Sequence, residues 1–229
     1  MSGDIRSAFI TLALSLPAIV LCLSIHETAH GGAAYLLGDR TARDSGRVTL
    51  SPMAHIDPIG FLCLLLFGFG WTLLFEWSNP ATLGAFDTPH KLLAAAFESV
   101  TLRTAGFNTI DLGALTGPSQ AVSCLLMFIG GSPGSTAGGI KTVTAAVLVL
   151  TAISAFCGRT TVSAFGRTIA PRSIMNAVTL LMAGGVLCLV GACAIAGIED
   201  APFHQCLFEA VSAFGTVGVS MGLTPTLSA

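Results

Sequence analysis

The fold is decided by a segment that occurs twice, FESVTLRTAGFN over Phe97–Asn108 and FEAVSAFGTVGVS over Phe208–Ser220. The two copies start 111 residues apart, and the spacing becomes 112 after one inserted residue. Each copy is a run too brief to cross a bilayer, ends in Thr-x-Gly and follows a long apolar segment. This repeat predicts two re-entrant hairpins, each made of a pore helix and a filter loop.

The Thr-x-Gly tripeptide suits a loop that turns its backbone toward an ion. Glycine lacks Cβ, so carbonyl oxygens can face a pore axis and replace the hydration shell of a cation. The helix ahead of the loop directs its partly negative C-terminal end at the same cation. One Thr-x-Gly is common in membrane helices, whereas two copies in one repeat context favour an ion filter. The predicted filter residues are Thr104, Ala105, Gly106, Phe107, Asn108, Thr216, Val217, Gly218, Val219 and Ser220.

A glycine-rich stretch, GGSPGSTAGGIKT over Gly130–Thr142, lies between the two copies. It is not a phosphate-binding loop, because that motif needs adjacent Gly and Lys and here Ile140 intervenes. Its glycines and proline instead predict a spanning helix broken into two half-helices around a flexible intramembrane loop. Such a loop is placed to obstruct a pore below its filter. The predicted gate-loop residues are Gly130, Gly131, Gly134, Gly138, Gly139 and Lys141.

The composition is that of a membrane protein. Of the 229 residues, 53% are hydrophobic and only 10% are charged, whereas a soluble domain carries about 25% charged residues. A soluble enzyme is therefore excluded, and the net charge of −2 without a basic cluster argues against a nucleic-acid partner. We expect an all-α polytopic protein in the lipid bilayer of the inner (plasma) membrane, with about four spanning helices and no β-sheet core.

The basic residues predict the orientation of the chain. Arg159, Arg167 and Arg172 lie in a connection without acidic residues, while the stretch Glu199–His204 has acids and no Lys or Arg. Because cytoplasmic loops are enriched in Lys and Arg, the first connection is expected in the cytoplasm and the second outside.

The N-terminal part carries a different motif, HETAH at positions 26–30, which matches H-E-x-x-H. On a helix this spacing places His26 and His30 on one face to bind zinc, with Glu27 able to act as general base on a zinc-bound water. Chance matches of this motif occur in unrelated proteins. Ionisable residues at the end of an apolar helix are nevertheless costly to bury unless they are used.

The flanking residues resemble the N-terminal part of bacterial site-2 proteases, which are intramembrane zinc metalloproteases. The matching stretches within residues 1–71 are Ala34–Asp39, Gly46–Pro52 and His55–Gly60. The resemblance implies that His26 and His30 are zinc ligands and Glu27 the catalytic base. In that family the third ligand is an aspartate on a later membrane helix, which we do not find here. We therefore expect at most weak zinc binding, and proteolysis is an alternative function.

Residues 72–229 resemble the membrane subunit of Trk/Ktr potassium uptake systems, closest to the Ktr type. The motifs that carry this resemblance are Ser78–Gly84, Arg103–Asp111, Phe128–Thr142 and Phe208–Pro225. The resemblance implies potassium transport, with Gly106 and Gly218 as filter glycines and Gly130–Lys141 as the gating loop, in which Lys141 is a charge at the pore. It also implies a cytosolic nucleotide-binding regulatory subunit as a partner.

The chain departs from the Trk/Ktr pattern in its number of repeats. That family builds one pore from four repeats, whereas this chain is expected to hold the third repeat and the fourth up to its filter. Two filter segments do not encircle an ion, so flux is expected only if chains pair, as in a homodimer, or if the missing repeats are supplied in trans. The arrangement is either a natural fusion or a chimeric, truncated reading frame, and an inactive fragment is a further alternative. The protease-like part and the transporter-like part are each interrupted within a folding unit of their family. This favours a chimeric reading frame over a natural fusion.

Overall fold

A computed structural model describes residues 21, 24–25, 28–29, 32–33, 35–38, 40–44, 46, 48–51, 58–103, 106–131, 137–164 and 166–226. Described residues up to Pro58 belong to one compact unit, and almost all later ones belong to a second. In the first unit, helix α1 spans Thr41–Asp44. The Arg43 guanidinium lies over the Tyr35 ring, 4.7 Å from its centroid.

The second unit is mostly helical, in agreement with the predicted all-α class. Its helices are α2 (Pro58–Glu76), α3 (Thr88–Thr101), α4 (Gly117–Phe128), α5 (Thr142–Phe156), α6 (Pro171–Glu199) and α7 (Phe203–Phe214). Three short 3-10 helices lie at Leu83–Ala85, Leu112–Ala114 and Thr224–Thr226. Strands β1 (Ser163–Ala164) and β2 (Arg167–Thr168) form an antiparallel hairpin in the arginine-containing connection.

Proline marks where several of these helices begin. Pro89, Pro118 and Pro171 each occupy one of the first two positions of a helix. Proline fits there because its fixed φ matches the helix and its missing N–H has no intrahelical acceptor at that position. A left-handed residue marks one helix end. Helix α6 ends before Asp200, whose backbone has a φ of 49°.

Within the described residues, one helix is long and apolar enough to cross a membrane. This helix, α6, has 29 residues and measures about 44 Å at the α-helical rise, compared with about 30 Å for the hydrocarbon core. The segments Leu66–Glu76 and Thr142–Phe156 are apolar but shorter. The expected total of about four spanning helices stays a prediction.

The predicted broken helix has a clear geometric form. After α4 ends, the Ile140 amide donates to the Phe128 carbonyl at 2.9 Å, and the Thr142 amide donates to the Gly131 carbonyl at 3.2 Å. Ile129 and Ile140 thus form a parallel bridge, so the chain returns to its point of departure and continues in the same direction. The two helices are 12 and 15 residues long, and neither alone spans a bilayer.

The core of the second unit lies around helix α7. Its largest fully buried apolar side chains are Phe208, Leu83, Leu112 and Met127. Next to them, the rings of Phe128 and Phe214 stack with their centroids 5.3 Å apart. Helix α6 packs on this pair through Gly184, where an added Cβ would lie 2.8 Å from Cζ of Phe214. The absence of a side chain at Gly184 therefore allows α4, α6 and α7 to approach one another.

Cysteine labelling of cells tests the predicted orientation. Ala81 and Thr160 are exposed and Ala201 is half-buried, each in a connection between helices. In a background with Cys157→Ser and Cys193→Ser, which removes the exposed thiols of the described residues, an impermeant thiol reagent added outside is expected to label Ala81→Cys and Ala201→Cys. It is expected to spare Thr160→Cys, because Arg159, Arg167 and Arg172 hold that loop inside. Lysed cells should label all three variants, and external labelling at position 160 would invert the orientation.

Candidate functional site

The repeat seen in the sequence is present in the backbone. Each predicted pore helix, α3 or α7, is followed by a loop whose central glycine has a positive φ, 74° at Gly106 and 85° at Gly218. These glycines are 112 residues apart, as are the 3-10 helices that follow at Leu112–Ala114 and Thr224–Thr226. Glycine adopts such a left-handed backbone at low cost because it lacks Cβ. Thr104 and Ala105 lie outside the described residues.

The two filter loops lie side by side. A Cβ added to Gly106 would be 3.1 Å from the Val217 carbonyl oxygen, and one added to Gly218 would be 3.6 Å from Cα of Gly106. The next parts of the loops also meet, because a Cβ on Gly113 would be 3.0 Å from the Met221 carbonyl oxygen. The structure thus brings together the two segments that sequence reasoning assigned to one filter.

A hydroxyl group ties each filter loop to the helix before it. Thr101 Oγ1 donates to the Phe107 carbonyl and accepts from the Phe107 amide at 3.2 Å. At the equivalent place in the second copy, Ser212 Oγ donates to the Val219 carbonyl at 2.6 Å. Both hydroxyl residues are buried. The non-helical backbone therefore has hydrogen-bond partners inside the protein, which membrane depth requires.

The second loop is held by a carboxylate as well. Glu209 Oε1 accepts hydrogen bonds from Ser220 Oγ at 2.6 Å and from the Met221 amide at 3.0 Å. Its Oε2 accepts from Thr224 Oγ1 at 2.6 Å. Glu98 occupies the equivalent place in the first copy and is 1% exposed. Neither of its carboxylate oxygens has a hydrogen-bond partner among the described residues.

A third carboxylate, Glu76 at the end of α2, organises the loops around the first copy. It is fully buried and accepts hydrogen bonds from Asn79 Nδ2 and Thr82 Oγ1, both at 2.7 Å. Thr116 donates to its other oxygen, through the amide at 2.9 Å and the hydroxyl at 2.7 Å. Glu76 therefore joins the loop after α2 to the start of α4.

The predicted gate loop contacts the second filter segment. The Gly138 amide donates to Thr216 Oγ1 at 2.8 Å, and the Gly139 amide donates to the Phe214 carbonyl at 3.1 Å. Thr216 itself has a φ of 53°, which is uncommon for a residue with a side chain. Lys141 Nζ donates to the Ala137 carbonyl at 2.5 Å. These bonds place the loop next to the first residue of the second filter segment.

The remaining gate-loop glycines differ in how closely they pack. A Cβ on Gly130 would lie 1.8 Å from the Gly138 carbonyl oxygen, so the two ends of the loop are in tight contact. Gly131 accepts the hydrogen bond that begins α5. Gly134 lies outside the described residues.

The exposed filter residues differ between the copies. In the second copy Thr216 and Gly218 are exposed while Val217 and Val219 are buried, so exposed and buried residues alternate along the loop. In the first copy Phe107 is 71% exposed and Asn108 is exposed beside it.

The predicted zinc motif is not part of this site. His26, Glu27 and His30 lie outside the described residues. In the part of the chain that the structure describes, no group of three or more His, Cys, Asp or Glu side chains is placed to hold a metal ion. Zinc binding at the two histidines therefore stays a prediction.

Sequence reasoning missed the groups that hold the filter in place. Glu209, Glu76 and the hydroxyl pair Thr101 and Ser212 were not assigned a role. The available signal was an acid at the same position of both apolar repeats, Glu98 and Glu209. An ionisable residue in such a place is a functional candidate by default.

The family of the chain follows from comparison with known proteins. The TrkH family, described as cation transport protein, matches residues 57–229. This chain belongs to the TrkH family. Family membership and the long apolar helix α6 together identify a membrane protein.

Two relatives of this TrkH chain are potassium uptake proteins by name. Ktr system potassium uptake protein B of Bacillus subtilis is 41% identical over 155 residues, covering 68% of this chain and 35% of the relative. Potassium/sodium uptake protein NtpJ of Enterococcus hirae is 40% identical over 169 residues, covering 72% of this chain and 37% of the relative. The chain thus spans little more than a third of the length of these relatives.

The resemblance to a protease is also found, over a shorter part of the chain. Putative zinc metalloprotease YwhC of Bacillus subtilis is 46% identical over 53 residues, which is 23% of this chain and 24% of the relative. This similarity agrees with the sequence-based expectation of a site-2-protease-like segment and weakly supports it.

Replacing Gly138 tests the contact between gate loop and filter. A Cβ there would lie 2.5 Å from the Phe214 carbonyl oxygen and 2.9 Å from the Gly215 carbonyl carbon. Because backbone must move to admit it, Gly138→Ala is expected to cost about 1–3 kcal/mol, lowering Tm in detergent by about 2–10 °C. The matched control is Gly185→Ala, which meets open space and should leave Tm unchanged or higher. Equal Tm values for both variants would contradict the contact.

Proposed function

We propose that this chain contributes to potassium transport across the inner membrane, as part of a multi-pass pore. The observation that carries this proposal is the pair of adjacent loops with left-handed glycines at Gly106 and Gly218. Each loop follows a pore helix whose C-terminal end is partly negative and therefore attracts a cation. Exposed backbone in a protein-lined cavity can replace the hydration shell of such an ion. The names of the two uptake relatives favour potassium as the ion.

We further propose that a second copy of this chain completes the pore. Two filter segments would leave an ion uncovered on one side, and two exposed features beside them support this proposal. Phe107 is 71% exposed beside the first segment. An open cavity lies beside the second, lined by Glu209, Ser212, Thr216 and Ser220. Two copies related by a twofold axis would supply four segments. The cytosolic nucleotide-binding subunit implied by the resemblance would act on the cytoplasmic face.

Substitution of the filter glycines tests the transport function. A host that lacks its own potassium uptake systems expresses the chain, and growth is measured at limiting potassium. Gly106→Ser and Gly218→Ser are each expected to reduce potassium selectivity before total flux, because a side chain disfavours the left-handed backbone. Gly117→Ser is the matched control, since its Cβ meets open space and it lies at a helix start.

Two outcomes would contradict this assignment in different ways. If the chain fully rescues growth at limiting potassium and both filter substitutions leave that rescue intact, the two loops do not form the filter. Absence of rescue by the parent chain would instead support the inactive-fragment alternative.

A second candidate function, an intramembrane zinc metalloprotease, is favoured by the similarity to YwhC. Two imidazoles leave the other zinc positions to water or a loop carboxylate, so at most weak affinity is expected. Dialysed protein should therefore retain little zinc, and His26→Ala should change that amount little. If the chain cleaves a membrane peptide and Glu27→Gln abolishes that cleavage, proteolysis would rank above potassium transport as the function of the chain.

A further inference from the structure

We propose that Glu209 is a positioning residue for the second filter segment, and that Glu98 has no such role at the equivalent place. The proposal rests on the proposed transport function, because it concerns how one of the two filter segments keeps its shape. It divides the filter into one segment bound by both a carboxylate and a hydroxyl group, and one that, among the described residues, is bound to its pore helix by a hydroxyl group without a carboxylate.

The geometry of the second copy supports this role. Glu209 lies on α7 and is 7% exposed. Three donors, Ser220 Oγ, the Met221 amide and Thr224 Oγ1, converge on its two oxygens at 2.6–3.0 Å. Ser220 follows the filter glycine by two residues. Its hydroxyl also accepts from the Gly222 amide at 2.9 Å, which extends the network along the loop.

The sequence of the first copy explains why Glu98 makes no such bonds. Thr224 is replaced there by Leu112, which has no side-chain donor. Ser220 is replaced by Asn108, whose Nδ2 donates within its own loop to the Ile110 carbonyl at 3.2 Å. The acid is thus repeated in the sequence while the side chains that would bind it are not. Within the described part of that copy, the side-chain hydrogen bonds between loop and pore helix are those that join Thr101 to Phe107.

The hydrogen bonds around Val219 and Met221 bear on ion selectivity because they lie directly after the filter glycine Gly218. Val219 is bound to the pore helix by Ser212 on one side, and Ser220 and Met221 are bound to Glu209 on the other. The backbone from Val219 to Met221 is therefore fixed at both ends. A carbonyl cage discriminates between cations through the number and spacing of its oxygens, so loosening one end is expected to lower discrimination more than total uptake.

The test compares two identical changes at repeat-equivalent positions, Glu209→Gln and Glu98→Gln, in the full chain. Glutamine keeps the shape but replaces one accepting oxygen with an NH2 group. In hydrogen exchange of the purified protein, Glu209→Gln is expected to speed exchange in residues 219–226 about tenfold, the size of one lost charge-assisted bond. Residues 106–115 should be unchanged, and Glu98→Gln should alter neither segment.

Selectivity is measured in the same variants as the ratio of potassium to sodium uptake. Glu209→Gln is expected to lower this ratio several-fold, and Glu98→Gln to leave it unchanged. If Glu209→Gln fails to fold, Thr224→Val removes one of the three donors without touching the acid and should shift both readouts in the same direction.

Equal effects of the two glutamine variants, or no effect of Glu209→Gln on exchange, would overturn the proposal. A parent chain that takes up no potassium yet gives the expected exchange pattern would support the positioning role. That result would count against the transport function alone, so the two ideas fail separately.

Discussion

The structure depends on one requirement, that backbone outside helices inside an apolar protein must find its hydrogen bonds within the chain. The loops predicted to form the filter and the gate carry amide and carbonyl groups that lipid could not satisfy. Buried hydroxyls and carboxylates meet this need. Thr101 and Ser212 bind the filter loops, and Glu76 binds the loop that precedes the first pore helix. These few polar groups allow irregular backbone to persist next to largely apolar helices.

Sequence reasoning was successful where a local pattern determines a local structure. The all-α class is confirmed. In the glycine-rich stretch, α4 ends at Phe128 and α5 begins at Thr142, and Gly106 and Gly218 have positive φ. The filter and gate assigned to these segments stay predictions. Residue type alone restricts the backbone at such positions, so no knowledge of the rest of the fold is needed.

Sequence patterns did not predict the contacts between segments that lie far apart in the sequence. Thr116 lies 40 residues from Glu76, and Gly138 lies 78 residues from Thr216, yet both pairs are joined by hydrogen bonds. Such pairs depend on how the helices pack, which the repeat does not reveal. The unequal roles of Glu98 and Glu209 show the same limit, because identical acids differ only through the side chains that face them. The histidine motif near the N-terminus lies outside the described residues, so its zinc stays a prediction.

The close approach at Gly184 restricts how α6 can rotate. The missing side chain at Gly184 leaves room for the ring of Phe214. Turning α6 by a single residue, about 100° about its axis, would bring Ala183 against that ring in one sense and Gly185 in the other. Because Gly185 also lacks a side chain, the contact opposes rotation of α6 in one sense only. The pair of glycines therefore gives this helix a preferred direction of rotation against α7.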